Sequence, residues 1–244
     1  MPRPSSQRLV LLSGWGIDQR IWQPLEGCWP ASVEAHAVDW PGYGDAPALP
    51  DTDNATLDQL ASTMARQLPG DAIWVGWSLG GLLATALLDH LPPPRGLILI
   101  GVGERFYSND GVTSSELASF RHAFARDPHA TWRHFLRWQT QGEPNARQAH
   151  RQLRALLGDT PCANRSTLAQ GLDWLATIDN SQRLHNAPCP VKRLIGEHDP
   201  LVGTSVRNKA ATLAKAGHCP MLSQPVQLAD SLAAQAILAV EEQP

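Results

Sequence analysis

The chain is predicted to be an α/β protein with a mostly parallel sheet, helices on both faces and an inserted helical lid. Three observations lead there. Short apolar β-type runs alternate with helical stretches along both ends of the sequence. A Gly-x-Ser-x-Gly stands between one such run and an apolar helix. The strand signal then disappears between Gly101 and about Pro190, where helical periodicity and several tryptophans take over.

In chain order, the expected strands begin with Leu9-Val10-Leu11-Leu12, continue with residues 33–38, and reach Ala72-Ile73-Trp74-Val75 just before the serine motif. Each is a short β-type run, and the first and third are rich in β-branched or large apolar side chains, as buried strands are. Residues 81–88 (GLLATALL) read as a helix with little polar surface. Leu97-Ile98-Leu99-Ile100 and Val191-Lys192-Arg193-Leu194-Ile195 are further strands, and Thr212-Leu213-Ala214 is the expected last one. Residues 226–240 read as a closing amphipathic helix.

Inside the lid, Asp127-Pro128 is an N-cap with proline at the first helical position, predicting a helix to about Gln141 with Trp132, Phe135 and Leu136 on one face. Gly142 ends it and Pro144 restarts a second helix, in which Leu153, Leu156 and Leu157 fall at i, i+3 and i+4. The predicted organisation is a core of residues 1–103 and 186–244 with the lid at 104–185.

Length and composition fit a single domain carrying an insertion: 244 residues, 43% hydrophobic, 18% charged. A formal net charge of −3 gives no global reason to expect nucleic-acid binding. Cys28, Cys162, Cys189 and Cys219 lack any disulfide or metal-ligand spacing, which points to a reducing compartment. The N-terminal residues lack the apolar segment of a leader, and the first apolar run is too short to span a bilayer. The expectation is a cytoplasmic monomer with neither a nucleic-acid nor a membrane partner.

Gly76-Trp77-Ser78-Leu79-Gly80, with strand before and helix after, places Ser78 on a tight turn that exposes its hydroxyl to attack chemistry. Small residues at 76, 80 and 81 allow the close backbone approach this turn demands. A serine hydroxyl is a weak nucleophile at neutral pH, so it needs a histidine base and an acid to orient that base. In this fold the order is Ser, Asp, His. Asp199, in Gly196-Glu197-His198-Asp199-Pro200, follows a strand and is preferred over Glu197 as the acid. Nine histidines compete for the base. His122, His129, His134 and His150 lie on polar lid positions, and His198 is a weaker alternative to His218, which stands in Ala216-Gly217-His218-Cys219-Pro220 after the last strand. The backbone amides of Trp15 and Leu79 are the expected oxyanion donors. This chemistry needs no metal and no organic cofactor.

The combination of Gly14-Trp15-Gly16, Asp39-Trp40-Pro41-Gly42-Tyr43-Gly44, Gly76-Trp77-Ser78-Leu79-Gly80-Gly81, Phe135-Leu136-Arg137-Trp138-Gln139-Thr140, Ala146-Arg147-Gln148 and Gly217-His218 resembles the pimeloyl-[acyl-carrier protein] methyl ester carboxylesterases of biotin synthesis, within the α/β-hydrolase superfamily. The resemblance runs over nearly the whole chain. It implies removal of a methyl ester from a pimeloyl chain on acyl carrier protein, with substrate contacts at Trp15, Trp77, Ser78, Leu79, the segment from Phe135 to Gln139, and His218. It also implies carrier-protein docking by lid arginines: Arg147 and Arg151 match two of the family's, with Arg133 and Arg137 nearby. Ser13 departs from the histidine common before Gly-Trp-Gly, and Ala130 and His134 stand where arginines would help docking.

Charge distribution points independently to an acidic partner. Residues 121–154 hold seven arginines, among them Arg147, Arg151 and Arg154 on one helix face, against Asp127 and Glu143 alone. A broad esterase or thioesterase with an incidental basic lid, or a binding protein that has lost turnover, are the alternatives.

Overall fold

A computed structural model describes residues 6–50 and 52–242. Residues 1–5, part of the segment expected to carry no leader, lie outside that range. Six strands form one sheet: β1 (Gln7–Leu12), β2 (Val33–Val38), β3 (Ile73–Trp77), β4 (Gly96–Ile100), β5 (Val191–Gly196) and β6 (Ala211–Leu213). Their order is β2-β1-β3-β4-β5-β6, and every pairing is parallel. β3 and β4 are buried along their whole length, as strands covered on both faces must be. β3 runs two residues further than its apolar run suggests, because Gly76 and Trp77 stay in register with Leu99 and Ile100.

Parallel pairing sends all carboxyl ends to one edge. There the chain leaves β1 into Ser13-Gly14-Trp15, β3 into Ser78, β4 into Gly101, β5 into the Asp199 loop and β6 into the His218 loop. The strand order reverses between β1 and β3, and crevices at such a switch point are where open α/β sheets bind ligands.

The first helices are α1 (Leu57–Met64), opened by a Thr56/Gln59 capping box, and α2 (Leu79–Ala86), buried at every position. Between β4 and β5 the chain is helical: α3 (Ser114–Arg126), α4 (Pro128–Trp138), α5 (Ala146–Leu157), α6 (Arg165–Thr177) and α7 (Ser181–His185). Caps explain their limits. Thr113 and Glu116 form a capping box for α3, and the side chains of Asp127, Asn145 and Asn164 accept amide hydrogens at the starts of α4, α5 and α6. α4 therefore opens where expected but stops at Trp138, three residues before Gln141. α5 starts at Ala146 because Asn145, rather than Pro144, supplies the cap. The expected Trp132, Phe135 and Leu136 face of α4 is buried, at roughly 1.5–3 kcal/mol for each large apolar side chain. On α5, Leu153 and Leu157 are buried and Leu156 only partly so.

Short helices α8 (Thr204–Arg207) and α9 (Pro220–Ser223) precede α10 (Pro225–Glu241), which lays Leu228, Ala229, Leu232, Ala233, Ala236 and Ala239 against the sheet side of the core. No helix among the described residues is long and apolar enough to cross a membrane.

Candidate active site

Ser78 has φ 55° and ψ −124°, a left-handed conformation costly for any residue with a Cβ. The surroundings impose it. The Ser78 amide donates to the Ile100 carbonyl at 2.9 Å, while the first turn of α2 closes on the Ser78 carbonyl through the Gly81 and Leu82 amides at 2.9 and 3.2 Å. A Cβ at Gly76 would come within 2.5 Å of the Gly81 Cα, and one at Gly80 within 2.6 Å of the Leu12 and Ser13 carbonyl oxygens. Glycine at these two positions is what lets β1, β3 and α2 meet under the serine.

His218 and Asp199 are both buried, with Nδ1 of the imidazole 2.8 Å from Oδ2 of the carboxylate. An ionised carboxylate can only accept, so Nδ1 carries the hydrogen and Nε2 is left as the basic atom. Asp199 is itself held: its Oδ1 accepts from the Leu201 amide at 2.9 Å and its carbonyl from Arg207 at 2.7 Å. The Trp77 ring lies against the imidazole, centroids 5.3 Å apart, and donates its indole N–H to the His218 carbonyl at 2.7 Å. Nε2 of His218 is buried and has no hydrogen-bond partner among the described residues.

The competing residues are elsewhere. Glu197 is exposed and accepts from the Lys215 amide, with His198 beside it at the surface, 3.7 Å away. His122 and His134 are exposed, His129 meets the Asp159 carbonyl, and His150 is half-buried. His90 also meets an aspartate, the exposed Asp58.

Trp15 follows β1 and is buried; its indole N–H donates to the Leu168 carbonyl at 2.8 Å, and its ring meets Phe120, Phe124 and Phe135 edge-on. Among the described residues, neither the Trp15 nor the Leu79 backbone amide has a hydrogen-bond acceptor. Ser13, which departs from the expected histidine, is buried and ties down two further tryptophans: its hydroxyl accepts from Trp22 and its carbonyl from Trp40.

Phe135 and Gln139 approach from α4. Gln139 is fully buried with both amide atoms unpartnered among the described residues, an expensive state for a side chain that water or substrate does not satisfy. Trp15, Phe120, Phe135, Trp138, Leu172 and Leu175 enclose an apolar seam of only about 10 Å³, room for one water at most. A much larger concavity, about 790 Å³, borders α3 and α4 and is lined by Arg126, His134 and Arg137 rather than by Ser78 or His218. Phe120 and Trp138 border both spaces.

Arg133, Arg137, Arg147 and Arg151 are all exposed, and none has an ion-pair partner among the described residues. Arg154, on the same face of α5, is bound to Asp159. Burial, then the charges of Arg154 and Arg137, hold the His150 imidazole below its ordinary value.

Two other groups near the sheet edge are perturbed. Burial raises the Asp39 carboxyl to about 6, against the opposing hydrogen bond from the Gln19 amide at 2.7 Å. Burial likewise lifts the Cys219 thiol well above its usual range, which makes this neighbour of His218 unreactive.

A serine at such an elbow, with an Asp–His pair at the same sheet edge, is the arrangement of the α/β hydrolases, and the chain belongs to that family: a model of the alpha/beta hydrolase family matches residues 9–231. More particularly, the chain is 32% identical to the biotin biosynthesis bifunctional protein BioHC of Teredinibacter turnerae, across 93% of this chain and 44% of that one. It thus spans less than half the length of that relative. Solved structures with the same fold include an esterase from Exiguobacterium antarcticum (TM-score 0.76, 19% identity, 96% of this chain and 93% of that one). A thermophilic esterase from Thermogutta terrifontis is similar (TM-score 0.75, 18% identity, 96% and 91%).

Proposed function

We propose that this chain is a serine carboxylesterase that hydrolyses the methyl ester of pimeloyl-acyl carrier protein, yielding pimeloyl-acyl carrier protein and methanol for biotin synthesis. The observation that carries the chemistry is the buried Asp199–His218 pair, whose free Nε2 lies in the same loop cluster as the strained Ser78. The kinship with a biotin-synthesis protein and the unpaired arginines on α4 and α5 support the choice of substrate.

In this reading Ser78 Oγ attacks the ester carbonyl while His218 Nε2 takes its proton, and Asp199 stabilises the imidazolium through the Nδ1 hydrogen bond. The Trp15 and Leu79 amides receive the oxyanion. His218 then protonates the departing methoxide. A water deprotonated by the same nitrogen cleaves the acyl-enzyme and releases the free carboxylate. Residues 104–185 act as the lid over this centre, with Phe120 and Trp138 parting to admit the acyl chain into the seam beside Trp15. Trp77, Phe135 and Gln139 complete the substrate site, and the Gln139 amide finds its missing partners on the bound ester. Arg133, Arg137, Arg147 and Arg151 dock the acidic carrier protein, within a cytoplasmic pathway.

The test is methyl release from pimeloyl-acyl carrier protein methyl ester, beside a short free ester. Ser78→Ala abolishes both activities. Arg147→Glu with Arg151→Glu lowers kcat/KM about tenfold or more for the carrier-bound ester at low salt and leaves the free ester unchanged. Full activity in Ser78→Ala would sink the mechanism; equal turnover of both esters by the wild type would leave a general esterase instead.

A further inference from the structure

Glu143 sits in the turn between α4 and α5 and is buried, yet among the described residues it has no cationic partner. A carboxylate so placed is costly unless hydrogen bonds hold it. Two do. Oε1 accepts from the Cys219 backbone amide at 2.7 Å, and Oε2 accepts from the Ser223 hydroxyl. Cys219 is the residue after His218, and Ser223 ends α9, the helix that follows it.

The backbone around Glu143 is pressed into the same place. A Cβ on Gly217, the residue before His218, would stand 2.7 Å from Glu143 Oε1 and 2.8 Å from its amide nitrogen. One on Gly142 would stand 1.9 Å from the carbonyl oxygen of His198, the neighbour of Asp199, and 3.1 Å from the Gly217 Cα. The turn is wedged between the loop bearing the acid and the loop bearing the base. Glycine is required at 142 and 217 because backbone meets backbone there.

We propose that Glu143 is a positioning residue: a carboxylate carried by the turn between α4 and α5 that fixes the loop on which His218 stands, through the Cys219 amide and the Ser223 hydroxyl that follow it. The proposal rests on the triad reading above. It makes the insertion part of the catalytic frame as well as a cover. Any movement of α4 or α5 that opens the seam beside Trp15 strains the two hydrogen bonds that place the base.

The experiment compares Glu143→Ala, Glu143→Gln and Ser223→Ala with wild type and Ser78→Ala. Thermal unfolding confirms the fold; kcat and KM are read on a short free ester, the rate of Ser78 labelling by a fluorophosphonate is followed, and NMR monitors the downfield His218 Nδ1 proton. Glu143→Ala is expected to lower kcat and the labelling rate together by about ten- to a hundredfold at unchanged KM, since sub-ångström to 1 Å misplacement of a catalytic group costs that much. Its downfield proton broadens. Glu143→Gln, whose amide oxygen can still accept from Cys219, returns to within about threefold of wild type, and Ser223→Ala, which leaves the Cys219 bond in place, loses about threefold. Should Glu143→Ala not fold, the last two variants carry the same comparison. Labelling at the wild-type rate in Glu143→Ala, a change in KM alone, or a Glu143→Gln as slow as the alanine overturns the proposal. A Ser78→Ala that still turns over ester removes the triad reading itself, whereas an inactive Ser78→Ala beside a fully active Glu143→Ala removes only the role of Glu143.

Discussion

Gly101, the first residue after β4, offers a direct probe of the Asp199–His218 pair. Its φ is +62°, and a Cβ there would lie 2.9 Å from His218 Nδ1, 3.0 Å from Asp199 Oδ2 and 3.0 Å from His218 Cε1. Gly101→Ala therefore carries two separable costs. The left-handed backbone costs about 1–2 kcal/mol for a residue with a Cβ. Ordinary contact begins near 3.4 Å, so the pair must also give by about half an ångström, which would lengthen its 2.8 Å hydrogen bond out of good geometry. With about a hundredfold for 1 Å of misplacement, half an ångström predicts a loss of ~10-fold in kcat, or about 1.4 kcal/mol of barrier.

Gly27→Ala is the control: Gly27 has φ +77° and a Cβ there meets nothing within 4 Å. It should show the backbone cost alone and lose no activity. Denaturant midpoints and single-turnover hydrolysis of a short ester, measured on both variants, separate backbone strain from the clash. If Gly101→Ala loses stability but keeps the kcat of Gly27→Ala, the reasoning that activity depends on the Asp199–His218 contact fails.

Two further outcomes follow from the same geometry. Asp39 has a folded-state value near 6 against about 3.9 when unfolded; the folded state then binds more protons between those values, so stability falls as pH rises through that window and levels off above it. Asp39→Asn, which can still accept from the Gln19 amide, should gain on wild type by up to ~3 kcal/mol between pH about 4 and 7, and urea midpoints that stay parallel across that range would contradict the assignment. Trp77→Phe keeps the ring beside His218 but removes the donor to its carbonyl; leaving that buried oxygen unpaired should cost about 1–3 kcal/mol in thermal stability and slow phosphonate labelling of Ser78, whereas an unchanged labelling rate would show that the bond does not place the histidine.

Much of this protein is local and therefore readable in its residues. The strands announce themselves by short apolar runs, and Asp127-Pro128 opens a helix because cap chemistry depends on neighbours three residues away. The elbow is legible because glycines at 76 and 80 have no other reason to flank a serine so closely. The expected order Ser78, Asp199, His218 follows from the fold class that these elements imply. α3 and α6 are less legible despite the Thr113/Glu116 box and the Asn164 cap, because their apolar periodicity is weaker than that of α4 and α5.

What tertiary structure alone decided are the distances between loops separated by tens of residues. Glu197 and Asp199 have similar chemistry and lie two positions apart, yet only the one buried by the β5 and β6 register meets His218. Glu143 looked like one of two acids in an arginine-rich segment until packing placed it under the histidine loop, 76 residues away in sequence from Cys219. Local propensity reads turns and caps because their partners are adjacent in the chain. Burial, the closed seam beside Trp15 and the contacts of Gly101 and Gly142 arise from sheet order and from the helices between β4 and β5 folding back on it, which no window of neighbouring residues encodes.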